Sequence, residues 1–158
     1  MIRVLDKATI DKIAAGEVIE RPSSVVKELL ENAIDAGSTA VTVEIKDGGT
    51  SFIRVTDNGC GIPKEEVRMA YMRHATSKIE HAEDLNSILS LGFRGEALST
   101  IAAVSQTEMI TKTATDLTGI KYVIHGGKEI EYKMSVCQTA PRLLFGICFS
   151  IHRHVRSF

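Results

Sequence analysis

After Pro22 and Ser23, apolar residues recur at helical spacing: Val25, Val26, Leu29, Leu30, Ala33 and Ile34. At about 100° per residue they cover roughly half the circumference of a helix. Pro22 suits the first turn and Gly37 a C-terminal stop, so the pattern predicts a helix between them. The period then changes to two. Val41, Val43 and Ile45 alternate with polar residues, as do Ile53 and Val55, and Asp47-Gly48-Gly49 lies between. That combination predicts a hairpin over 41–57. Residues 6–15 read as a short helix, Pro63 with Glu65 and Glu66 as the start of another running to about Arg73, and Glu96 to Val104 as a buried helix. Stretches 106–113, 119–125 and 129–133 read as three further strands. Consecutive strands joined by tight turns imply an α+β fold, a mostly antiparallel or mixed sheet with helices on one face.

Composition adds little. Of 158 residues, 44% are apolar and 25% charged, with a net charge of −1, so nothing in the charge points to a polyanion as partner. No apolar run approaches the ~20 residues of a membrane helix. Cys60, Cys137 and Cys148 lack metal-ligand spacing, which predicts reduced thiols and a cytoplasmic location.

The predicted first helix also carries a polar line. Glu28, Asn32 and Asp35 fall within about 60° of one another beside the apolar arc. A solvated helix face presents the same pattern, but a carboxylate that can hold a water and an amide oxygen that suits Mg²⁺ are a chemically useful pair. Three further stretches sharpen the question. In RVTDNGCGI (54–62), Asp57 shares the parity of Ile53 and Val55, so it should point to the core face, where a carboxylate needs a partner. Gly59 and Gly61 follow it and allow close approach or positive φ. RHATSKI (73–79) sets hydroxyls, a lysine and a histidine after a helix, and LGFRGEAL (91–98) sets two glycines and Arg94 before one, where free amides favour an anion. No P-loop GxxxxGK[ST] occurs.

KELLENAIDAG, DNGCGI, RHATSKI and LGFRGEAL, in this order and preceded by IDKIAAGEVIERPSSVV, resemble the GHKL ATPase superfamily, and within it the MutL mismatch-repair family, over about residues 3–133. The resemblance implies a Bergerat-type two-layer α/β sandwich binding ATP and Mg²⁺. Glu28 would be the general base for the attacking water and Asn32 the Mg²⁺ ligand. Asp35 and Ala36 would line the pocket. Asp57 would accept from the adenine amine, with Gly61 under the base and Gly59 and Ile62 in the same binding stretch. Thr76, Ser77 and Lys78 would lie in a lid. Gly92, Phe93, Arg94, Gly95 and Glu96 would form a phosphate loop leading into a helix through Ala97 and Leu98. The family uses ATP to close a homodimer, here through the segment holding Ile13, Ala14, Ala15, Gly16 and Glu17. It acts with the mismatch-recognition protein MutS and DNA. Two other readings share parts of the pattern: a histidine-kinase-type domain, against which Glu28 speaks, and a nucleotide-binding module without turnover.

The resemblance ends at Lys133. Residues 134–158 contain no Asp, Glu or Lys, although the chain holds 20 acidic residues. The family's glycine-threonine-threonine strand and DLFxNTPAR motif are missing. Back-translated and read one base earlier, from the last base of the Lys133 codon, the stretch can encode DECLPDGTTIIVRDLFFNTPARKKF. This predicts two regions: a partial ATPase domain over 1–133 and a frameshifted tail over 134–158. It also predicts a sheet incomplete at its C-terminal side, deprived of a central strand, and hence poor stability and weak or no ATPase activity. The apolar run Leu143 to Ile151 could still form a strand.

Overall fold

The computed structural model describes residues 4, 6, 9, 13, 21–72, 97–136 and 146–152. Among the described residues, two helices, α1 (Pro22–Asp35) and α2 (Ala97–Val104), accompany six strands: β1 (Val41–Lys46), β2 (Phe52–Asp57), β3 (Gln106–Lys112), β4 (Gly119–His125), β5 (Lys128–Ser135) and β6 (Gly146–His152). The strands form one sheet in the order β1-β2-β6-β3-β4-β5. Every pairing in it is antiparallel, so the mixed-sheet alternative does not hold among the described residues.

Register lines up the core. One transverse row runs Val43, Val55, Phe149, Met109, Tyr122, Tyr132, and its neighbour contains Ile53, Ile151, Thr107 and Ile124. Val25 and Leu29 of α1 and Ile101 of α2 pack on these rows, with Tyr71 against Tyr122 and Phe149. Because strand side chains alternate, the intervening row faces the other way and is largely polar: Glu44, Arg54, Ser150, Glu108 and, beside them, Lys121 and Glu131.

The α1 and hairpin predictions hold, and α1 ends as a Schellman motif. Gly37 (φ 73) donates to the Ile34 carbonyl at 2.9 Å and Ser38 to that of Ala33 at 3.1 Å. Two expectations need correction. The tail does not remove a strand: Gly146–His152 is β6 and sits between β2 and β3, because its alternation buries Phe149 and Ile151 in the core rows. The stretch after Pro63 is a series of turns ending in a 3₁₀ turn at Met69–Tyr71, not an α-helix. Arg68 is drawn outward there, its guanidinium in a paired contact with Glu129 at 2.9 Å and stacked over the Tyr132 ring. Of its apolar arc, α1 buries only Val25, Leu29 and Ala33. Ile34 is 58% exposed, because the sheet covers only half of the apolar arc. The helix predicted over 6–15 lies mostly outside the described residues; within it, Asp6 accepts the Thr9 amide at 2.7 Å.

Candidate nucleotide site

The end of α1 and the end of β2 are stitched together. The Schellman turn brings Ser38 over β2, where its hydroxyl donates to Asp57 Oδ1 at 3.2 Å. The same oxygen accepts the Gly59 amide at 2.8 Å, and the Cys60 amide donates to the Ala36 carbonyl at 3.0 Å. Asn58 completes the seam: its Oδ1 accepts the amides of Thr39 and Ala40 at 2.8 and 2.9 Å, and its Nδ2 donates to Thr39 Oγ1. No local pattern in the sequence marks Ser38 or Asn58 as part of this seam. The sequence offers only a hydroxyl just after the helix stop and an amide beside the aspartate of a DNG turn.

Asp57 is buried, at 6% exposure, as its parity predicts. Burial raises its carboxyl from the ordinary value, against the lowering effect of hydrogen bonds from Gly59, Ser38 and the Ile147 backbone.

The two glycines are required by contact. A Cβ on Gly59 would meet Ala36 Cβ at 2.7 Å and Ser38 Oγ at 2.8 Å. On Gly61, whose φ is +72, it would lie 2.2 Å from the Lys112 carbonyl oxygen. The Ile62 amide donates to Thr111 Oγ1 at 2.9 Å, and Ile62 packs against the core.

Glu28 and Asn32 are half-buried and Asp35 is exposed, on the flank of α1 predicted for them. Counted back from Ala36 at 1.5 Å per residue, Asn32 lies about 6 Å and Glu28 about 12 Å up the axis. On the opposite flank, Val26, Leu30 and Ile34 line an apolar groove of about 550 Å³ with Ile45, Gly48 and Gly49, which contains none of Glu28, Asn32 or Asp57. Ala97 and Leu98 open α2, with Leu98 against the core. Thr76, Ser77, Lys78 and Gly92 through Glu96 lie outside the described residues, as do Ala14 to Glu17. Ile13 is described and exposed. No cluster of three His, Cys, Asp or Glu occurs among the described residues, and no described helix is long and apolar enough to cross a membrane.

Residues 19–141 match the model of the histidine kinase-, DNA gyrase B- and HSP90-like ATPases. The DNA mismatch repair protein MutL of Agathobacter rectalis is 68% identical over 129 residues, 82% of this chain and 20% of that protein. MutL of Desulforamulus reducens is 59% identical over 126 residues, 80% of this chain and likewise 20% of the relative. The chain thus spans about a fifth of the length of these relatives. Among solved structures, the N-terminal domain of a DNA repair protein superposes with a TM-score of 0.68 at 27% identity, over 91% of this chain and 39% of that one. The Aquifex aeolicus MutL ATPase domain complexed with ADP superposes with a TM-score of 0.57 at 28% identity, over 85% and 42%. By sequence and fold, the chain belongs to the histidine kinase-, DNA gyrase B- and HSP90-like ATPase family, with MutL-like sequence over most of its length.

Proposed function

We propose that the seam between α1 and β2 is the base end of a Mg-ATP site and that the polar flank of α1 is its phosphate end. The observation that carries this reading is Asp57: a buried carboxylate with two donors on Oδ1, beside a glycine pressed onto β3. Asp57 accepts from the adenine amine, and Gly61, lacking a side chain, lets the base lie against the loop. Asp35 and Ala36 line the pocket at the helix end. Gly59 keeps the loop close to the helix, and Ile62 anchors its far end.

Glu28 and Asn32 are one helical turn apart on a rigid element, so their separation is fixed before substrate arrives. Glu28 orients a water and takes its proton. The Asn32 amide oxygen is a hard, neutral donor of the kind Mg²⁺ accepts. The bound ion would neutralise charge on the phosphates. Thr76, Ser77 and Lys78 act as a lid, and Gly92 through Glu96 with Ala97 and Leu98 hold phosphate. In a full-length protein, ATP would drive closure of a homodimer in the cytoplasm, coupling MutS to repair on DNA.

Equilibrium titration of the chain with ATP tests the site. Saturable binding that Glu28→Ala leaves intact, with turnover lost in a chain extended to full family length, supports these roles. Turnover near that of the unaltered protein removes Glu28 from the mechanism.

A further inference from the structure

Thr111 ends the buried part of β3, at 2% exposure. It lies in the same transverse row as Asp57, since Ile147 of β6 is the register partner of both. Its hydroxyl makes two bonds at once. Oγ1 accepts the Ile62 amide at 2.9 Å and donates to the Gly146 carbonyl at 3.1 Å. One hydroxyl can do both, because it has one donor and two acceptor directions.

The surrounding contacts leave little slack. Gly61 rests on the Lys112 carbonyl, and Gly146, with φ +128, rests on the Asp57 carbonyl; a Cβ at either would come within 2.2 Å of that oxygen. The ends of β2 and β3 and the start of β6 therefore converge at backbone distance. The loop Asp57–Ile62 leaves this junction covalently at Asp57. It returns to it through the Thr111 hydroxyl.

We infer that Thr111 is a positioning residue for purine recognition. Its hydroxyl fixes Gly61, on which the base lies, relative to the Asp57 carboxylate that reads the base amine. Thr111 acts through the loop and touches no nucleotide atom. This inference rests on the Mg-ATP reading above. Removing the hydroxyl leaves the Ile62 amide and one bond of the Gly146 carbonyl without their partner, so the loop relaxes and base discrimination suffers first.

The test is equilibrium binding of ATP and of inosine triphosphate, which carries an oxygen where adenine carries its amine, to the whole chain. Thr111→Val is expected to weaken ATP binding about tenfold and inosine triphosphate binding less, shrinking the preference for ATP, while Thr111→Ser restores both. Unchanged ATP affinity and preference in Thr111→Val overturns the inference alone. So does an equal loss for both nucleotides, which marks a merely structural residue, or a failure of Thr111→Ser to rescue. No ATP binding by the unaltered chain defeats the site reading and this inference together. If Thr111→Val does not fold, hydrogen exchange at the Ile62 amide of the unaltered chain decides: slow exchange upholds the tie, and exchange as fast as an exposed loop amide overturns it.

Discussion

The Ser38 hydroxyl and the Asp57 carboxylate meet at 3.2 Å across the junction between the end of α1 and the end of β2. Nineteen positions separate them in the chain. Their contact joins the helix that carries Glu28 and Asn32 to the strand that carries the buried acid.

Burial raises the Asp57 carboxyl, so the folded chain holds that proton more tightly than the unfolded chain does. The sign follows. Above the ordinary carboxylate range the folded state keeps more protons, and Asp57's contribution to stability falls as pH rises through the window up to its raised value. Asp57→Asn removes this loss and keeps an oxygen for the Ser38 and Gly59 donors. The expected outcome is a nucleotide-free Tm at neutral pH equal to or above that of the unaltered chain. ATP affinity should fall about tenfold or more, because the amide can turn a donor toward the adenine amine. Thermal melts across pH, paired with an ATP titration, check both halves.

Gly61→Ala meets two obstacles together: a left-handed φ and the Lys112 carbonyl 2.2 Å from the new methyl. A stability loss of about 2 kcal/mol is expected, with nucleotide affinity lost alongside, measured by urea unfolding and titration. Gly48→Ala has a similar φ of +63 and open space around it, so it should cost less and leave nucleotide affinity alone.

The Tyr71 hydroxyl and the Thr107 hydroxyl lie near each other in the core, and neither meets hydrogen-bonding geometry with any described residue. Tyr71→Phe should therefore be neutral or stabilising by up to about 1 kcal/mol. Burial raises the Tyr71 phenol and pushes Tyr122 up to about 12. Both groups keep their protons in the fold beyond the pH where an unfolded tyrosine, near 10, loses them. Stability should be full below about pH 10 and fall as pH rises toward 12, less steeply in Tyr71→Phe. Denaturant midpoints at alkaline pH measure this.

The coding sequence read one base earlier from the Lys133 codon should continue into GTT and then DLFFNTPAR. A coding sequence that lacks this motif in that frame ends the frameshift proposal. The seating of Gly146–His152 in the sheet follows from its own alternation, which sets Ile147, Phe149 and Ile151 on one face.

Local chemistry settled much by itself. Pro22 and Gly37 bound α1, the hairpin turned at Asp47–Gly49, and parity put Asp57 inside, because each depends on φ preferences or on the two-residue strand period. The fold class and the polar line of Glu28 and Asn32 were legible for the same reason. Tertiary packing decided what no local pattern encodes. It chose which half of the α1 arc the sheet would cover, turned the stretch after Pro63 outward through Arg68 and Glu129, and set a tail strand between β2 and β3. It also gave Ser38, Asn58 and Thr111 their partners, since a short polar side chain acquires a role only from the distant backbone or side chain that arrives opposite it.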